Sequence, residues 1–158
     1  MSSRFPTSKL EWGHCAQAII SGKMSVTAAD IPALLERLQD MNWPGSYLIG
    51  KFLPTFGHDL IEPVRSVFKS GDDVWIYWVL STFADEFDET FWGSLKRELE
   101  SMTLAWNVEN THTKALYILA RTKLMSSETI KHKVEEFRSD NRSDRDDCEM
   151  IEVLLSKS

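Results

Sequence analysis

Apolar side chains recur at intervals of three and four residues from about residue 26 to the end of the chain, with interruptions where Gly, Pro, Asn, Ser and Asp cluster. Such spacing predicts helices that each bury one stripe. Ile31, Leu34, Leu35, Leu38 and Met41 form the first clear stripe; Thr27 and Asp30 stand three apart as a capping box, and Pro32 falls in the first turn. Asn42 is the expected cap of a second helix, with Pro44 in its first turn and Trp43, Tyr47, Phe52, Leu53 and Phe56 as its apolar side chains. Gly57 closes that helix. The third stripe, Leu60, Ile61, Val64, Val67 and Phe68, ends at Ser70-Gly71, where glycine can take the left-handed conformation that terminates helices.

Asp72 and Asp73 then set carboxylates beside the free N–H groups of a new helix, a position favoured by capping and by the macrodipole. The segment Val74 to Leu80 is almost continuously apolar, and Phe83 and Ala84 follow. Propensity alone would permit a buried strand, but the flanking cap and the absence of a second strand to pair with it predict a central helix with neighbours on most sides. Trp92, Leu95, Leu99 and Met102 anchor a fifth helix, and Trp106 to Thr113 reads as a polar connection. Leu116, Leu119, Ala120 and Leu124 mark a sixth helix. Ser126-Ser127 cap a seventh with Ile130, Val134 and Phe137 on its inner face, Ser139 to Asp147 reads as a charged loop, and Met150, Ile151, Leu154 and Leu155 form the last helix. A weaker helix spans about Leu10 to Ile20 and ends at Gly22. Connections this short make neighbouring helices antiparallel. The predicted fold is all-α: one domain over residues 1–158, built as a short HEAT-like solenoid of antiparallel helical hairpins.

Composition narrows the picture. A chain of 158 residues can bury a core without metal or disulfide staples. Its 6 Trp and 8 Phe exceed what such a core demands, so some aromatic side chains are expected outside it. No apolar run approaches the roughly 18 to 20 residues that cross a bilayer, and Met1 to Pro6 has no apolar signal core, so a cytoplasmic protein without a membrane partner is expected. Cys15 and Cys148 stand far apart, unlike a disulfide framework or a metal pair. A net charge of −6 argues against nucleic acid and in favour of a basic partner.

Three ordered motifs carry a resemblance: Asn42-Trp43-Pro44, then Gly57-His58-Asp59-Leu60-Ile61-Glu62-Pro63-Val64, then Asp72-Asp73-Val74-Trp75-Ile76-Tyr77-Trp78-Val79-Leu80. Together they resemble a small bacterial HEAT-like helical family, domain of unknown function 5071, over roughly residues 26–102. On that reading residues 104–138 are an inserted helical pair. The resemblance implies the helical fold and, more loosely, the setting of an immunity partner of a bacterial toxin. It implies no catalytic residue.

Candidate chemistry is sparse. Asp85, Glu86, Asp88 and Glu89 surround Phe87; the last two open a helix, where carboxylates are favoured, whereas the first two follow a helix end, where they are disfavoured. The cluster is either a solvated junction or, with Asp72 and Asp73, a docking patch for a basic partner. Trp75, Tyr77, Trp78 and Trp92 are core side chains or, where they face outward, interface anchors. His14, His58, His112 and His132 show no His-x-x-x-His spacing, so no metal is expected, and each reads as a surface or capping residue. Gly45-Ser46 and Gly93-Ser94 lack a nucleophile elbow, Gly71-Asp72-Asp73 repels phosphate, and Cys15 beside His14 has no cation cluster to activate it. No catalytic residue and no cofactor is expected.

The function these features favour is a non-enzymatic immunity-type protein that occludes a basic toxin domain, with Asp72, Asp73, Trp75, Tyr77, Asp85, Glu86, Asp88 and Glu89 as its contact residues. Two alternatives belong to other classes. A HEAT-like DNA glycosylase would need a basic concave surface, yet Lys131, Lys133 and Arg138 are interleaved with Glu135 and Glu136. A homodimeric scaffold would join through residues 104–138.

Overall fold

The computed structural model describes residues 4–139 and 145–157, and every regular element among them is helical. The run Val74 to Leu80 is helix, as its cap demanded. No helix among the described residues is long and apolar enough to cross a membrane. The domain expected over residues 1–158 is organised as two compact units, residues 1–82 and 83–158.

In the first unit a 3-10 turn, Lys9–Glu11, leads into α1 (Trp12–Ile20), which buries Trp12, Cys15, Ala16 and Ile19. Burial pushes the Cys15 thiol pKa up, so it stays a thiol. The Thr27 N–H donates to the Asp30 carboxylate at 2.8 Å, the reciprocal half of the expected capping box. The first stripe is shared between α2 (Ile31–Leu35) and a 3-10 turn, Glu36–Gln39, with Leu38 still fully buried.

Asn42 does not cap the next helix. Its N–H donates to Asp40 Oδ1 at 2.9 Å, and α3 (Ser46–Phe52) is preceded instead by Gly45 at φ 83°. The physical reason is a close approach to α1: a Cβ on Gly45 would stand 2.5 Å from the Trp12 carbonyl oxygen and 2.9 Å from Ala16 Cβ. Among the apolar candidates Leu53 is buried, together with Ile49, whereas Tyr47 is 64% exposed. After a backbone break at Gly57, α4 (Ile61–Phe68) buries Val64 and Val67. The left-handed glycine expected at its end is Gly71, at φ 75°. Next, α5 (Asp73–Phe83) starts on Asp72, whose Oδ1 accepts from the Trp75 N–H at 3.0 Å, and it buries Ile76, Val79 and Leu80.

In the second unit the expected fifth helix arrives as two pieces, α6 (Glu89–Gly93) and α7 (Lys96–Met102), with Trp92, Leu95 and Leu99 fully buried. The stretch read as a polar connection, Trp106 to Thr113, exposes Trp106 and Val108, as Leu104 is exposed just before it, but its last three residues already belong to the next helix and are buried. α8 (Thr111–Arg121) is the most deeply buried helix of this unit, and it includes His112. His112 is therefore not the surface or capping residue expected: it is wholly buried, edge-on to the Phe137 ring at 4.8 Å. α9 (Ser127–Ser139) begins where predicted, with Ser126 Oγ accepting from the Thr129 N–H at 3.2 Å. α10 (Arg145–Ser156) begins inside the segment read as a charged loop, of which residues 140–144 lie outside the described residues. Asp147 is helical and 3% exposed because partners await it: Thr113 Oγ1 donates to it at 2.9 Å and Lys114 Nζ at 2.6 Å. Pairing of this kind is what permits a buried carboxylate.

Candidate partner-binding surface

The three sequence motifs all lie in the first unit, and several of their side chains hold it together. Trp43 of Asn-Trp-Pro stands in a ladder of rings and cations. Lys9 Nζ lies 3.9 Å from its centroid, the Arg37 guanidinium sits 5.2 Å from it and 4.5 Å from Trp12, and Trp12 stacks on Phe5 at 5.4 Å. Burial between the rings lowers the Arg37 pKa, with Glu36 partly opposing the shift. Such cation–π contacts gain strength when desolvated. In the second motif Gly57 makes the break while Leu60 and Val64 are fully buried. In the third, Trp75 Nε1 donates to the Leu35 carbonyl at 2.9 Å, pinning α5 to the end of α2 where the helix tightens into the 3-10 turn.

The proposed contact residues divide between the units. In the first, Asp72 caps α5, Trp75 is the link to Leu35, Asp73 is exposed, and Tyr77 is half-buried and edge-on to Trp78 at 5.1 Å. In the second, Asp88 caps α6 by accepting from the Thr90 and Phe91 N–H groups at 3.0 and 3.2 Å, and Glu86 and Glu89 are exposed. Asp85 is tied to α8: Tyr117 Oη donates to it at 2.8 Å and Arg121 Nε lies 3.5 Å away. Arg121 also donates to the Phe87 carbonyl. Burial, and then the bond to Asp85, push the Tyr117 pKa up to about 12, so the phenol keeps its proton.

Tyr117 leads to a surface that the sequence reading did not find. A groove of about 430 Å³ runs along α8 and α10, lined by Tyr117, Asp146, Glu149, Met150, Val153 and Leu154. Met150, in the last helix as expected, is 47% exposed and Val153 51%. α10 carries two apolar stripes: Cys148 and Ile151 are buried within the unit, while Met150, Val153 and Leu154 floor the groove. The second stripe is the signal that was available in the sequence. Among the described residues no three His, Cys, Asp or Glu side chains stand together as a metal-holding group.

Comparison with known families agrees with the motif geometry. A family model described as Domain of unknown function (DUF5071) matches residues 18–124. The chain belongs to this family. The match is wider than the 26–102 segment that carries the motifs, and it takes in α8, the first helix of the pair read as an insertion. It stops before α9 and α10, so one wall of the groove, at Tyr117, falls inside the DUF5071 region and the other falls outside it. No curated protein and no solved structure matches the chain.

Proposed function

We propose that this DUF5071 protein is a non-enzymatic protein-binding module of the immunity type, acting in the cytoplasm to neutralise a basic toxin domain by covering it. The observation that carries the reading is the groove on the second unit. It offers an apolar floor, a tyrosine, and the carboxylates Asp146 and Glu149, with no lysine or arginine in its described lining. Exposed apolar side chains bordered by charged ones are features of a protein interface. The net charge of −6 adds long-range attraction for a basic partner, which speeds encounter.

The test is co-expression with the product of the reading frame immediately upstream. Growth arrest by that product alone and its relief by this protein are expected, with an association rate that falls steeply with added salt. Failure to relieve the arrest would overturn the reading. A second reading, the homodimeric scaffold, is favoured by one observation, the exposure of Leu104, Trp106 and Val108 on the connection before α8. Light scattering at increasing concentration decides it.

A further inference from the structure

We propose that the groove along α8 and α10 seats a single basic amphipathic helix of the partner, and that α10 decides which helix is accepted. The proposal rests on the reading above that the partner is basic, and narrows it to one surface and one ligand shape.

The floor sets the shape. The lining on α10 runs from Asp146 to Leu154, about 12 Å at 1.5 Å per residue, room for roughly two turns of a second helix alongside. Met150, Val153 and Leu154 lie at helical spacing on one face, the ridge that a second helix packs against. A groove of about 430 Å³ admits a few side chains from such a ridge and is too small for a globular surface. Met150 adapts its unbranched side chain to different neighbours. Tyr117, held through its hydroxyl by Asp85 with Arg121 alongside, is a fixed aromatic wall.

The rim sets the charge. Asp146 stands four residues before Met150 and Glu149 four before Val153, so each carboxylate lies one turn from an apolar contact. Lysine or arginine flanking the apolar stripe of an incoming helix would meet them. Glu149 has an ion pair with Arg145 at 3.2 Å, but both side chains are largely exposed, 55% and 89%, and such a pair exchanges readily for a partner's cation. An acidic helix, a nucleic acid or an anionic membrane would be repelled from the same rim. Since the DUF5071 match ends at residue 124, the floor and both rim carboxylates are supplied by a segment beyond it. α10 is therefore the specificity-determining element.

The experiment uses the full chain and a labelled synthetic helix of about 15 residues, with leucine at i, i+3, i+4 and i+7 and lysine elsewhere. Fluorescence anisotropy is expected to show saturable binding. A peptide with the same residues scrambled, and one with glutamate for lysine, should bind at least about tenfold more weakly. Met150→Lys with Val153→Lys should weaken binding by a similar factor while circular dichroism and the melting temperature stay as in the wild type; Glu135→Lys on α9 should change neither. Equal binding of the scrambled peptide, or unchanged binding by the double variant, overturns the proposal, as does a dimer in light scattering that the double variant dissociates. The same variants enter the growth test. If the double variant still relieves arrest, the groove assignment falls and the immunity reading stands. If the peptide binds the groove but the wild type relieves nothing, the immunity reading falls and the groove stands.

Discussion

Residues 1–82 and residues 83–158 use their distinctive side chains in opposite ways. In the first unit Trp43, Gly45, Gly57, Asp72 and Trp75 each answer a demand made by the backbone or by a neighbouring ring: a column to complete, a close approach to allow, a turn to make, a helix to cap, a carbonyl to satisfy. In the second unit Tyr117, Asp146, Glu149, Met150 and Val153 line an open groove, with Met150 and Val153 about half exposed. A motif is easy to recognise where geometry leaves one residue type, whereas a docking surface needs only a stripe and a charge. The legible part of this chain is therefore its architecture, and the part proposed to meet a partner lies where motifs are absent.

Variants can break this contrast, beginning with the largest effect. Gly45→Ala joins a left-handed backbone penalty to a Cβ clash with Trp12 and Ala16, and should cost about 4 kcal/mol in urea unfolding. Gly71→Ala at a similar φ has nothing within 4 Å of the new Cβ and should cost about 1 kcal/mol, so equal losses would refute the close-approach argument. Lys114→Ala takes the ammonium from the buried Asp147 carboxylate and should cost about 3 kcal/mol, a structural liability in the second unit to set against its open groove. Trp75→Phe keeps a ring but removes the N–H that reaches Leu35, for a loss of about 1 kcal/mol in the same assay.

The smallest effect is confined to alkaline solution. The folded state holds the Tyr117 proton up to about pH 12, against 10.0 ordinarily, so its contribution is full below pH 10 and is lost as pH rises through about 12. Melting temperatures of the wild type should fall more steeply over that window than those of Tyr117→Phe. Parallel slopes would show that the bond to Asp85 contributes nothing.

Helix content was legible because periodicity and caps are local. Thr27 with Asp30, Asp72, Asp88 and Ser126 act as predicted, since a cap depends on residues within one turn. Asn42 misled because its chemistry suits a cap, while the actual start of α3 depends on how closely Gly45 passes Trp12, a residue far away in sequence. Trp75 read as core or contact because nothing in its neighbourhood announces Leu35. His112 read as a surface or capping group because a lone histidine carries no sign of its depth. The groove escaped for a related reason: Met150 and Ile151 are both apolar, and only packing decides which faces inward.

By itself the amino-acid order determined the all-helical class, most helix starts, the glycine stops and the family, all of them properties of short windows in which backbone donors and apolar periodicity must be satisfied locally. Tertiary structure alone decided that Asp147 is buried while Glu149 is exposed, that Asp85 braces Tyr117, and that the second stripe of α10 stays open. Those choices depend on which distant side chains arrive beside each residue, and burial, pairing and exposure follow from that company.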